Sequence, residues 1–157
     1  MGTVSRREQI KMTQAEIAEF LAEERTANVA TIGRNTRPHV VPLWFVPEGG
    51  GLVSWTYESS QKVANLRRLA QASVLVEAGE SYEELRGVLM ECDVEVVTDA
   101  DEVVRIGGAV TERYAGNPEI AVAAYQFIRV QAAKRVGLRF TPTHVTSWDH
   151  RKLGGTY

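Results

Sequence analysis

The chain has 157 residues, 44% of them hydrophobic and 24% charged, a size and balance suited to one globular domain with a substantial core. A net charge of −2 and a pI near 6.0 exclude a general nucleic-acid or membrane-surface binder, so an anionic ligand needs a local basic site. The single cysteine, Cys92, excludes an intrachain disulfide and a thiolate metal cluster and suits a reducing compartment. Arg6-Arg7 is followed by Glu8-Gln9-Ile10-Lys11 where a twin-arginine signal needs an apolar run, and no stretch approaches the length of a membrane helix. The expected location is the cytoplasm.

Residues 1–12 are expected to form an N-terminal extension and 13–157 the domain itself. Thr13-Gln14-Ala15-Glu16 is a capping box, and Ile17, Phe20 and Leu21 then recur at helical spacing up to about Arg25. Ala27 to Ile32 reads as a first strand, Gly33-Arg34-Asn35-Thr36 as a turn, and His39 to Val46 as a second strand rich in β-branched and aromatic residues. Gly49-Gly50-Gly51 is a hairpin turn before a third strand, Leu52 to Tyr57. The pattern predicts a helix from about Ser59 to Leu69, with Val63, Leu66 and Leu69 on one face, and a fourth strand over Ser73 to Glu77.

Arg86 to Val97 alternates, with Val88, Met90, Cys92, Val94 and Val96 on one side, as in a long half-buried strand. A helix opens at Asp99-Ala100-Asp101-Glu102 and buries Val103, Ile106, Val110 and Tyr114, although Gly107-Gly108 weakens it midway. A second helix begins at Asn117-Pro118-Glu119 and runs to about Ala133. Val136 to Phe140 and His144 to Trp148 are expected as two closing strands split by Thr141-Pro142-Thr143. Together these elements make an α+β domain with a β-barrel or curled sheet, whose strand edges require closure or dimerisation.

Ser59-Ser60-Gln61-Lys62 lies where a strand ends and a helix starts, so free amides, the positive helix end, hydroxyls from Thr56, Ser59 and Ser60, and the Lys62 charge converge as a phosphate requires. The plainer reading is an ordinary serine N-cap with a solvated lysine, and Glu58 would oppose an anion there. Pro42 removes a ladder donor from the second strand, which suits an edge or a bulge beside a ligand. His39, His144 and His150 lack ligand spacing, so no metal is expected, and no serine sits in a nucleophile elbow.

The segment from Ala27 to Leu69 resembles the pyridoxamine-phosphate-oxidase-like FMN-binding split barrels. The likeness rests on Arg37-Pro38, Val41-Pro42-Leu43-Trp44-Phe45, Trp55-Thr56-Tyr57 and Ser60-Gln61-Lys62-Val63-Ala64-Asn65-Leu66 in that order. The helix pair between Val97 and Val136 and the ending Thr146-Ser147-Trp148-Asp149-His150-Arg151-Lys152 resemble the B group of flavin/deazaflavin-dependent oxidoreductases. The resemblance implies an antiparallel split β-barrel of six to seven strands with flanking helices, a homodimer, and cofactor sites in the dimer groove. It implies the deazaflavin coenzyme F420, or alternatively FMN, as cofactor, and hydride transfer to a conjugated small-molecule acceptor. A non-catalytic flavin or deazaflavin binder needs the same pocket. A true pyridoxamine phosphate oxidase is not implied, because the C-terminal arginine pattern that grips pyridoxal phosphate is missing. Val41, Pro42, Leu43 and Trp44 are placed along the ring, and Thr56, Ser59, Ser60, Gln61 and Lys62 at the phosphate. Trp148 and Lys152 are placed where a late aromatic or basic residue reaches the partner's cofactor, against the reading of an ordinary tail. Leu43 and Phe45 as barrel core, and Trp44 as an interface aromatic, remain the competing reading of that strand.

Overall fold

In the computed structural model, which describes Val4–Gly155, seven antiparallel strands form one sheet in the order β2-β1-β5-β6-β7-β4-β3. The strands are β1 (Ala27–Ile32), β2 (Pro38–Leu43), β3 (Val46–Glu48), β4 (Gly51–Tyr57), β5 (Gln71–Ala78), β6 (Arg86–Val97) and β7 (Arg135–Asp149). The helices are α1 (Arg6–Gln9), α2 (Gln14–Glu23), α3 (Gln61–Arg68), α4 (Ala100–Tyr114) and α5 (Pro118–Ala132), with short 3-10 turns at Tyr82–Glu84 and His150–Leu153. This is the α+β split barrel with flanking helices that the resemblance implies. Among the described residues no helix is long and apolar enough to cross a membrane.

The longest ladder joins β6 to β7 from Arg86↔Asp149 to Val97↔Gly137, while β4 pairs only with the first part of β7, from Tyr57↔Arg135 to Leu52↔Phe140. The remainder of β7 therefore has β6 alone beside it. Inside the curl lies one apolar cluster that includes Phe20, Val29, Phe45, Leu66, Val74, Met90, Leu138 and Phe140. A second cluster, Val53, Val97, Val103, Ile106 and Val110, sits between the sheet and α4. Burial of these side chains supplies the main drive for folding, at about 25 cal/mol per Å² of apolar surface.

Local rules account for most boundaries. Thr13 and Glu16 exchange both bonds of the capping box at the start of α2, Thr13 Oγ1 accepting from Glu16 N–H at 3.2 Å and Glu16 accepting from Thr13 N–H at 2.6 Å. Asp99 and Asn117 cap α4 and α5 by side-chain acceptance alone, from the amides of Glu102 and Ile120. Gly107 does not break α4, because it is the point of closest approach to the sheet: a Cβ there would fall 2.5 Å from the Trp55 ring.

The structure departs from expectation where chain neighbours alone do not decide. The second strand stops at Leu43, short of Val46, and β3 begins after a break at Trp44-Phe45. There the backbone is satisfied by side chains: Phe45 N–H donates to Tyr114 Oη at 3.0 Å, and Ser54 Oγ donates to Trp44 C=O at 2.6 Å. The two expected closing strands are one, since a bulge opposite Glu91/Cys92 absorbs Thr143, whose hydroxyl donates to Glu91 C=O at 3.1 Å. The segment before Thr13 also docks: Asp149 N–H donates to Ile10 C=O at 2.7 Å, Met12 N–H donates to Ser147 Oγ at 3.1 Å, and Met12 is buried.

Candidate functional site

At the end of β4 the chain turns through Glu58-Ser59 into α3, with Ser60 as N-cap in extended conformation and its N–H donating to Tyr57 C=O at 3.1 Å. Serine at this position ordinarily accepts from the first-turn amides. Ser60 makes no such bond, and its hydroxyl is buried without a partner among the described residues. Two residues on, Lys62 Nζ donates to Thr56 Oγ1 at 2.9 Å and has no carboxylate partner among the described residues. Burial, and then repulsion from Arg135, holds the Lys62 ammonium below its usual pKa.

Arg135 opens β7 directly opposite Tyr57, and its guanidinium lies 4.2 Å from the Tyr57 ring centroid and 4.5 Å from that of Trp55. Its Nε is buried without an acceptor among the described residues. Glu58, the acid that would oppose an anion, is instead paired with Arg67 at 2.7 Å. Lys62 and Arg135 thus have no carboxylate ion-pair partner among the described residues, while Glu58 and Asp101 line a further pocket with Arg135.

Beside this basic corner runs a cleft of about 520 Å³, and Pro42, Leu43, Trp44, Thr56, Tyr114 and Arg135 are among its lining residues. Trp44 is 58% exposed, and its indole stacks on Tyr114 with centroids 4.5 Å apart and planes at 10°. Tyr114 is itself pinned: its hydroxyl donates to Arg25 C=O at 2.6 Å and accepts from Phe45 N–H. The cleft is therefore aromatic and apolar along one stretch and cationic at one end, a shape that fits a flat ring carrying an anionic tail.

The structure brings Pro42, Leu43, Trp44 and Thr56 together in that cleft and joins Lys62 to them through Thr56. Val41 is half-buried on β2 but does not line the cleft, and Ser59 is exposed at the turn. The Gln61 amide donates to Asn65 Oδ1 at 2.9 Å, and fully buried Asn65 donates to Thr31 Oγ1 at 3.0 Å, so Gln61 serves to hold α3 on β1. Trp148 and Lys152 lie elsewhere in the same chain. Trp148 covers Gly87, where a Cβ would fall 2.2 Å from its ring, and Lys152 Nζ donates to Lys11 C=O at 2.8 Å and pairs with Glu16 at 2.7 Å.

Sequence reasoning missed Trp55, Tyr114 and Arg135. The basic pair Lys134-Arg135 just before a predicted strand was the available signal, but nothing local says that this strand lies beside β4. A larger groove, of about 1100 Å³, runs along α4 and α5 with Arg25, Arg105 and Arg113 on it. Its arginines are committed: Arg105 to Glu48 and Glu102, Arg113 to the carbonyls of Leu21, Ala22, Glu24 and Phe45, and Arg25 to the Arg113 carbonyl. The smaller cleft, with its unpaired donors, is the better site.

Comparison with known proteins agrees with this architecture. The conserved hypothetical protein Rv2991 from Mycobacterium tuberculosis is 38% identical, covers 98% of this chain and 95% of its own, and superposes with a TM-score of 0.87. A structure described as an F420 reductase is 20% identical over 82% of this chain and 94% of its own, with a TM-score of 0.63. HutZ, a heme storage protein from Vibrio cholerae, is also 20% identical, over 85% and 94%, with a TM-score of 0.65. At that identity these two share the fold. No curated protein sequence matches the chain. The sequence profile described as pyridoxamine 5'-phosphate oxidase matches residues 13–149, and the chain belongs to that split-barrel family.

Proposed function

We propose that the protein is a homodimeric oxidoreductase that binds the deazaflavin coenzyme F420, with FMN as the alternative cofactor. The observation that carries this reading is an aromatic cleft with Arg135 on its wall and Lys62 bonded to its Thr56, neither cation having a carboxylate partner among the described residues. When bound, the cofactor supplies hydride transfer to and from its ring. The chain's own part is to hold it. Pro42, Leu43 and Trp44 flank a flat ring and exclude water from it, while Lys62 and the Ser60 hydroxyl meet the phosphate at the start of α3. Tyr114 fixes the indole of Trp44 by stacking. The acceptor is taken to be a conjugated small molecule seated against the Trp44–Tyr114 wall.

A second copy of the chain is the expected partner. Val40 and Trp44 on or beside edge strand β2, and Ile120, Val122, Tyr125, Phe127 and Val130 on α5, are all exposed apolar side chains that a partner would cover. Trp148 and Lys152 would contribute to the partner's cleft in such a dimer. HutZ, of the same fold, is described as a storage protein, so binding without turnover is the second reading.

Fluorescence titration of cofactor-free protein with F420, and separately with FMN, tests the proposal. Tight uptake of F420 with weak uptake of FMN is the expected result, the reverse preference makes this a flavoprotein, and binding of neither overturns the function. Reduction of an added acceptor by the bound, reduced cofactor separates an enzyme from a storage protein. Light scattering of the purified protein tests the dimer, and a monomeric mass removes it.

A further inference from the structure

Arg135 differs from the arginines that the fold places against acids or carbonyls. Arg67, Arg86, Arg105, Arg139 and Arg151 each pair with a carboxylate, and Arg113 is surrounded by backbone carbonyls. Arg135 is half-buried, sits on two aromatic faces, and has neither a carboxylate partner nor an acceptor for its Nε among the described residues. Stacking fixes the guanidinium plane but uses none of its five N–H donors. The donor edge is left over, in a cleft wall shared with Pro42, Trp44 and Thr56.

We infer that Arg135 is the ligand-orienting residue of the cleft, its planar fork taking two oxygens of a phosphoryl group while Lys62 supplies the second positive charge. The inference rests on the proposed function and goes beyond it by naming the group that sets the ligand's direction. A guanidinium held flat by Trp55 and Tyr57 accepts an oxyanion in one plane, whereas the Lys62 ammonium is a point charge without angular preference. The same anion relieves the repulsion between the two cations and satisfies the buried Nε. A purely structural clamp joining β4 to β7 would use the aromatic faces alone and would be indifferent to ligand.

The test uses the full chain, its R135A and R135K variants, and four probes: inorganic phosphate, FMN, F420 and riboflavin, which is FMN without the phosphate. Inorganic phosphate is expected to shift the Arg135 Nε–H resonance of the wild-type protein. R135A is expected to weaken the phosphate-bearing cofactor about tenfold to a hundredfold, with R135K recovering little of the loss and riboflavin affinity the same in all three proteins. Equal cofactor affinity in R135K and wild type would show that charge alone matters and would overturn the inference. So would an Nε–H resonance unmoved by saturating phosphate, a measurement on the wild-type protein that stands even if the variants do not fold. If phosphate shifts Arg135 but neither cofactor binds, the proposed function falls and the inference stands. If a cofactor binds while R135A leaves its affinity unchanged, the inference falls and the function stands.

Discussion

Two basic regions of this chain look alike in sequence and are opposite in structure. At the C-terminal end, Arg151 chelates buried Asp149, Lys152 pairs with Glu16, and Arg86 reaches Glu23 and Glu24. At the cleft, Lys62 bonds Thr56 and Arg135 stacks on Trp55 and Tyr57, and neither has a carboxylate ion-pair partner among the described residues. Paired cations at the tail fasten the N-terminal segment and α2 to the end of β7. Cations without such a partner at the cleft carry a cost in the free protein that the proposed ligand would relieve. The difference lies in which acids the fold brings near, since Glu58 beside the cleft is held by Arg67.

The sharpest way to break this comparison is to remove one cation from each region. Arg151→Ala leaves the Asp149 carboxylate buried with only a backbone donor and is expected to cost about 1–3 kcal/mol of stability, read by urea unfolding. An unchanged midpoint would deny the tail its structural role. Lys62→Ala is expected to leave the unfolding midpoint unchanged or raised while weakening cofactor binding about tenfold or more. A destabilised variant with intact affinity would reverse the assignment.

The two regions also titrate with opposite sign. Hydrogen bonds from Arg151 hold the Asp149 carboxyl below its ordinary 3.8, so its contribution to stability is full above that pH and is lost as the pH falls through the lowered folded value. Asp149→Asn should remove that acid limb from the stability profile. Burial and Arg135 hold Lys62 below 10.5, so the cost of its charged form is present at neutral pH and is relieved as the pH rises through the lowered value. Cofactor affinity should fall over the same alkaline window, and a profile identical in Lys62→Ala would assign that fall to another group.

The smallest expected effect is that of Lys152→Ala, which loses a partly exposed ion pair and a bond to the Lys11 carbonyl, worth no more than about 1 kcal/mol. Unchanged cofactor affinity would leave Lys152 as a tie within its own chain. Weakened affinity in the dimer would place it in the partner's cleft.

How much of this was legible in the sequence follows the range of the interaction involved. Capping at Thr13, Asp99 and Asn117, the turn at Gly49-Gly50, and the alternation of Arg86 to Val97 depend on residues a few positions apart, and each appears where the pattern put it. Pro42, Leu43, Trp44 and Thr56 were legible as cleft residues because a family likeness carried their order, and Lys62 because a strand-to-helix turn announces itself locally. The continuity of β7 depends on β6 absorbing a bulge, so it was hidden from a reading of Thr141-Pro142-Thr143 alone. Gly107 reads locally as a weak point in α4, and only the approach of Trp55 makes it a requirement. Arg135 became visible only when the sheet order set β7 beside β4, where the Trp55 and Tyr57 rings meet its guanidinium. Sequence by itself determined most elements, their caps and the α+β class, because those follow from propensity and periodicity along the chain. Tertiary structure alone decided which charges stay unpaired, because pairing is settled by neighbours far apart in sequence.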